Sequence, residues 1–388
     1  MITITDFLDP VPEEVFEDLM LYKLNNRLVS MPIFSKNEPI DEHNLPEIAI
    51  IGVNEYRNAI YKTSHNSPNQ VRKQLYNLYK CAGKIRIADF GNLKQGKSVT
   101  DSYFALKEVT EYLLKNNVLP IIIGGSQDLT YPIFQAMNSL EQVFNISVID
   151  SLLDIGDAET EFNSQSYLSK ILLDKSAHLF NYSILAQQTY LNSEPDIELL
   201  KHLFFDNMRL GEIRENLKFT EPIMRDTDLL SIDLSSIKFA DAQGQPNPSP
   251  NGLTGDEICQ ITRYAGLSDR LKVLGIFDYS PDYDHRSQTA ALIAQMIWCF
   301  IDGYVQRRKD YPFCNLSEYK KFSVSREELT EQIVFYKSSK TDRWWMEVPY
   351  YNKKNTNSLV VSCNYEDYLT ACNGELPDRW WKFYQKIS

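Results

Sequence analysis

The 388-residue sequence predicts a three-layer α/β/α fold with a mostly parallel central sheet. Two observations carry this. Short β-branched runs alternate with longer amphipathic segments, the rhythm of βαβ units. Several runs are also apolar without interruption, as strands covered on both faces are. With 43% hydrophobic and 24% charged residues, the chain has material for one large domain or two modest ones.

The first strand is read at Glu47–Val53 (EIAIIGV), followed by a helix that starts behind Ser67-Pro68 and runs to Tyr79, since Pro suits a first helical turn. Ile85–Phe90 is a second strand, Asp101–Asn116 a helix, and Val118–Ile123 a third strand ending in Gly124-Gly125. Leu129–Ser139 is helical, Ile146–Asp150 a fourth strand, Gln165–Asp174 a helix, Tyr182–Leu185 a strand and Leu229–Asp233 another. A Pro/Gly/Asn/Gln loop over Asp241–Gly252 leads to a helix at Thr254–Ala265, a strand at Lys272–Phe277 and a buried helix from Thr289. That helix carries Gln295 and falls short of the roughly 20 apolar residues needed to span a bilayer. From about Tyr311 the texture changes: four of the five Trp lie in the repeats Asp342-Arg-Trp-Trp345 and Asp378-Arg-Trp-Trp381. The chain is therefore divided into an N-terminal arm (1–40), an α/β domain (41–310) and an aromatic C-terminal extension (311–388), with one Trp of each pair packing inward and the second of a strand-borne pair free to face outward.

A net charge of −12 opposes binding to nucleic acid or to anionic membranes. The six scattered cysteines include no CxxC pair, which argues against a disulfide framework or zinc knot. The acidic start lacks the pattern of a secretory signal, so the expected location is the cytoplasm. Only five His are present for metal binding or acid/base work near neutral pH.

In open α/β sheets, ligand chemistry gathers at the carboxyl ends of strands. Three such ends stand out: Gly124-Gly-Ser-Gln-Asp128, Asp150-Ser-Leu-Leu-Asp154 and Ser231-Ile-Asp-Leu-Ser235. Their carboxylates can hold a hard cation or cap turns and helix starts. In this order the three segments resemble the Gly-Gly-x-His, Asp-x-His-x-Asp and Ser-x-Asp-x-Asp segments of the ureohydrolase family of arginases, agmatinases and formimidoylglutamases. Ser67-Pro68 with Arg72, Asp89-Phe-Gly-Asn92, Pro246–Thr254, and Ser280-Pro281 with Asp284 and Thr289 resemble further family segments. The resemblance covers most of Glu47–Asp302. It implies an arginase-like fold and, in intact members, six ligands on two bridged manganese ions.

Three of those ligand places are changed: Gln127 and Leu152 stand where the family has His, and Ser235 where it has Asp. Asp150, Asp154 and Asp233 remain, with Gln127 as a carbonyl donor, so the resemblance implies at most a single Mn2+, Mg2+ or Ca2+ and no two-manganese centre. Leu has no lone pair, and hydrolysis by a metal-activated water depends on the metals. Asp278 occupies the place of the family's substrate-facing Glu. The expected function is a catalytically degenerate ureohydrolase-like protein, a pseudoenzyme acting as a scaffold or partner-binding protein. The alternative is a metal-dependent hydrolase of formimidoylglutamate or a guanidino compound, with Asp278 in its catalytic site. The expected partners are a protein, a small cationic ligand and further copies of the chain. The loop Asp157, Glu159, Glu161 and Asn163 supplies no His, and His178 reads as a surface residue.

Overall fold

The computed structural model describes the chain except residues 1–2, 18, 20–23, 36–39, 42, 62–65, 157–160, 313–315, 326–331, 353–354 and 388; for 351–352 and 355–356 it describes the backbone alone. Within these residues the strands are β1 (Leu8–Asp9), β2 (Ile48–Gly52), β3 (Ile87–Leu93), β4 (Leu119–Ile123), β5 (Phe144–Ile149), β6 (Leu179–Gln187), β7 (Asp206–Arg209), β8 (Leu229–Asp233), β9 (Val273–Phe277), β10 (Tyr319–Val324), β11 (Ile333–Ser338), β12 (Trp344–Asn352) and β13 (Asn355–Cys363). The α-helices are α1 (Ser67–Leu75), α2 (Val99–Lys115), α3 (Thr130–Asn138), α4 (Tyr167–Leu173), α5 (Glu194–His202), α6 (Leu210–Glu215), α7 (Thr220–Asp226), α8 (Gly255–Gly266), α9 (Gln288–Val305), α10 (Tyr365–Cys372) and α11 (Asp378–Ile387).

The first nine strands form one sheet in the order β1-β3-β2-β4-β9-β8-β5-β6-β7. All neighbours are parallel except β1, which pairs antiparallel with β3. Alternate strand residues feed two cores. Ile48, Ile50, Ile121, Ile232 and Ile276 face one core with α1, α8 and α9; Ala49, Ile51, Ile122, Val148 and Val273 face the other with α2, α3 and α4. This is the predicted three-layer architecture. The apolar run at Thr289 is indeed a core helix, with Ile293, Ile297 and Phe300 on the buried face of α9. No helix among the described residues is long and apolar enough to cross a membrane.

The sequence reading assigns no element between Leu185 and Leu229, where the structure has α5, β7, α6 and α7. These are short. β7 is the polar edge segment DNMR, and α5 buries only Leu200 fully, so neither carries a periodic apolar signal.

Residues from Tyr319 onward build a second, antiparallel sheet, β10-β11-β12-β13, whose core of Phe335, Trp344, Met346, Trp380 and Phe383 also takes in Phe180 from β6. The expected outward Trp on a strand is not found. Trp344 and Trp345 point to opposite faces of β12, yet both are buried, because each face of this sheet is covered. Trp345 meets Tyr311, Tyr319 and the Arg225 guanidinium, while Trp344 meets Phe322 and Tyr368. The second pair lies on α11, where Trp380 is buried and Trp381 is 46% exposed. The adjacent arginines serve the packing rather than surface ion pairs. Arg343 reaches Glu221 at 3.1 Å, and Arg379 reaches Asp206 at 3.2 Å and Asp226 at 2.7 Å. Asp206 begins β7 and Asp226 ends α7 just before β8, so the extension is fastened to the amino-terminal edge of the main sheet.

Candidate functional site

The strand order explains why residues far apart in sequence converge. β4, β9, β8 and β5 are adjacent, and their carboxyl ends run into Gln127, Asp278, Asp233 and Asp150 respectively. The chain places β4 and β5 apart and later fills the gap with β8 and β9, which creates the crevice at which open α/β sheets carry ligands. Gly124 and Gly125 adopt φ of +89° and +79°; a Cβ on Gly125 would stand 2.1 Å from Leu129 and 3.0 Å from the Glu55 carbonyl oxygen. Glycine is therefore required for the turn that brings Gln127 beneath Asp278.

The Gln127 amide donates to Asp278 Oδ2 at 2.9 Å, and the Asp278 amide donates to the Gly125 carbonyl at 2.9 Å. Asp150 Oδ1 accepts from the Leu152 amide at 2.9 Å and from the Ser235 hydroxyl at 3.2 Å. Asp233 Oδ1 accepts from the Ser235 amide at 2.6 Å. Asp154 and Asp278 hold φ of +52° and +61°, a left-handed region that Asp tolerates better than most residues. The structure thus gathers Asp150, Asp154, Asp233, Gln127 and Asp278 in one place. A small cavity of about 20 Å³ lies among Leu152, Asp154, Asp233, Ser235, Gln245 and Asp278, room for about one water.

Loss of water raises every carboxyl here. Burial pushes Asp150 to about 6, against hydrogen bonds that favour its charged form. Asp278 is pushed to about 8 by burial and then by the charges of Asp128 and Asp150. Asp154 and Asp233 are driven well above the usual carboxylate range by burial first and by neighbouring Asp charges second. The carboxyls cannot all be ionised together without a cation. Asp150 Oδ2 is buried with no fixed donor; a proton on the neighbouring Asp154 carboxyl, which burial and the Asp150 charge favour, would supply one.

Four participants lie outside the sequence-predicted set. Asp128, raised by burial to about 6, accepts from the Ser126 and Tyr103 hydroxyls. Gln245 lines the cavity with its Oε1 buried and without a partner. Tyr167 and Tyr182 are fully buried, and the charges of Asp150 and Asp154 help burial raise their hydroxyls. Asp128 was legible as the neighbour of Gln127; the others become neighbours only through folding.

The donor set does not fit a bridged metal pair. Leu152 offers no donor atom, and Ser235 spends its amide on Asp233 and its hydroxyl on Asp150. Among the described residues, no three His, Cys, Asp or Glu side chains converge as ligands of one ion. Gln127 is fully buried with both Oε1 and Nε2 lacking partners, which leaves it, like the Gln245 Oε1, a neutral group free to join the carboxylates.

Several other motif residues turn out to be structural. Arg72 is buried and donates to Asp89 at 2.8 and 2.9 Å, to Asn92 at 2.6 Å and to the Gly91 carbonyl at 2.7 Å, which unites two of the segments noted in the sequence. Asp284 caps α9 by accepting from the amides of Thr289 and Ala290 at 2.8 and 2.9 Å. Arg307, just past α9, donates to the carbonyls of Gly266 and Leu271, closing the end of α8. His178 is half-buried against Asn138 at the amino end of β6, so it is neither a plain surface residue nor near the site. Asp157 and Glu159 lie outside the described residues. Glu161 and Asn163 form a turn with Ser166.

Comparison with known proteins agrees with this fold. Residues 46–302 match the model of the arginase family. The formimidoylglutamase of Macrococcus caseolyticus is 25% identical over 240 residues, 60% of this chain and 75% of that protein. That of Staphylococcus carnosus is 23% identical over 248 residues, 61% and 79%. The formiminoglutamase of Trypanosoma cruzi, solved with Mn2+, superposes with a TM-score of 0.63 at 18% identity, covering 68% of this chain and 94% of that one. The proclavaminate amidino hydrolase of Streptomyces clavuligerus gives 0.61 at 17% identity, over 73% and 98%. With this match over most of the α/β fold, the chain belongs to the arginase family.

Proposed function

We propose that this arginase-family protein keeps the strand-end pocket of its fold without metal-dependent hydrolysis, and that it serves as a scaffold or partner-binding protein. The observation that carries this reading is the donor set: Leu152 cannot ligate, and Ser235 is engaged with Asp150 and Asp233. Asp150, Asp154 and Asp233 share protons as they stand; a single Mn2+, Mg2+ or Ca2+ on them with Gln127, or a small cationic ligand, would have to displace those protons and draw the side chains together. A protein partner, self-association and a cytoplasmic setting belong to the same proposal. Metal analysis after loading with Mn2+, together with assays on formimidoylglutamate, agmatine and arginine, tests it. One ion or none with no turnover is expected; two manganese ions with turnover overturn it.

A second reading is favoured by the named relatives, which are formimidoylglutamases matched over three-quarters of their length. In it the chain hydrolyses formimidoylglutamate or a guanidino compound with an unusual metal shell. Asp150, Asp154, Asp233 and Gln127 would hold the ion, which would supply an activated water, while Asp278 would orient the amidine. Under this reading Asp154→Ala abolishes product formation, and unchanged turnover in that variant excludes it.

A further inference from the structure

Away from the strand-end site, α8 and α9 pack side by side on one face of the sheet. Their close approach depends on two glycines. A Cβ on Gly266 would lie 2.1 Å from the Phe300 carbonyl oxygen, and one on Gly303 would lie 2.4 Å from the Arg263 carbonyl oxygen. Arg263 also binds Asp302 at 3.0 Å across the same seam. Farther toward the amino ends of the two helices, Cys259 of α8 and Cys299 of α9 line the same cavity, close enough for each thiol to shift the other's titration. Both thiols are free and only partly buried. They line one cavity of about 620 Å³ with Leu78, Tyr79, Leu292 and Trp298, so a small solute can reach them.

We propose that Cys259 and Cys299 form a redox-active dithiol, which hydrogen peroxide converts into a disulfide tying α8 to α9. The two sulfurs are not equivalent. The neighbouring Cys259 thiol holds the Cys299 thiol below its usual range, against burial and the Asp302 charge that raise it, while the same contact and burial push Cys259 up. Cys299 is therefore the attacking thiolate. Its sulfur takes one peroxide oxygen, the O–O bond breaks, and the departing hydroxide is protonated to water, leaving a sulfenic acid. The Cys259 sulfur then attacks that sulfur, the S–O bond breaks, and hydroxide leaves as a second water with the thiol proton. Two thiols are oxidised by two electrons and one peroxide is reduced to two waters. Cys81, nearby, donates to the Trp298 carbonyl at 3.8 Å, and burial raises its thiol to about 12, so it stays out of the exchange.

The link would join two helices that hold the site loop 241–254. The Gly255 amide at the start of α8 donates to Asp241 at 2.8 Å, and Thr289 Oγ1 of α9 accepts from the Gly244 amide at 2.8 Å.

The reduced full-length protein is treated with one equivalent of hydrogen peroxide, alkylated, digested and mapped by mass spectrometry. A Cys259–Cys299 linked peptide is expected, with free thiols falling by two from the six in the chain. Cys81→Ser should leave the link intact, and Cys259→Ser should stop at a Cys299 sulfenic acid trapped by dimedone. A link to Cys81, sulfinic acid on Cys299 beside a free Cys259, or two unreacted thiols in the native protein overturns the proposal. The mapping of the unmodified chain stands without either variant.

Discussion

Asp278 gives the site a pH signature that can be tested by substitution. Its folded carboxyl titrates at about 8, against about 3.9 in an unfolded chain. Between these values the folded state keeps a proton that the unfolded state releases, so stability falls as pH rises from about 4 to about 8. Asp278→Asn removes that titration and retains an oxygen to accept the Gln127 amide, which now donates at 2.9 Å. The variant is expected to match the parent near pH 4 and to exceed it by about 1–3 kcal/mol at pH 8. Urea denaturation at both pH values checks this, and a gain independent of pH refutes it. That Asp150, Asp154, Asp233 and Asp278 stand at or just beyond strand ends was readable in the sequence. Their raised titrations were not, because they follow from burial and from neighbours contributed by other strands.

At the scale of elements, the C-terminal sheet is held by a few charged contacts rather than by a broad apolar seam alone. Arg379 on α11 binds Asp206 and Asp226 and donates to the Ser362 carbonyl at 2.9 Å. Burial works against the Asp206 carboxylate, and Arg379 with Lys382 holds it below its ordinary range all the same. Arg379→Ala leaves two acidic groups without this partner and is expected to cost about 2–4 kcal/mol. It should also expose the segment beyond residue 311 to limited proteolysis. A variant as stable and as protease-resistant as the parent would show that the ion pairs do not fasten the extension. The Trp pairs signalled that this region buries aromatic surface. That both Trp of a strand would be covered was not legible, since a strand pattern does not tell which layers lie against its two faces.

For the whole molecule, the net charge of −12 and the convergence of Asp128, Asp150, Asp154, Asp233 and Asp278 point the same way. A divalent cation that binds only the folded state raises its stability. At pH 8 the carboxyls are freer to ionise, whereas near pH 5 protons compete for them. Mg2+, Ca2+ or Mn2+ is therefore expected to raise Tm by several degrees at pH 8 and by less at pH 5. Thermal unfolding that ignores all three cations at both pH values removes the single-ion site and leaves the cluster a proton-sharing one.

The sequence by itself determined the layered α/β architecture, because uninterrupted β-branched runs and the apolar stripe of α9 leave few other ways to bury themselves. It also determined that position 152 offers no donor atom, because Leu carries none in any conformation. Only the tertiary structure decided that β9 and β8 enter between β4 and β5, setting Asp278 and Asp233 beside Asp150. Only it decided, too, that Arg72, Asp284 and Arg307 serve packing and caps, and that Cys259 and Cys299 meet. Each of these depends on strand order and helix seams, which arise from long-range contacts rather than from local pattern.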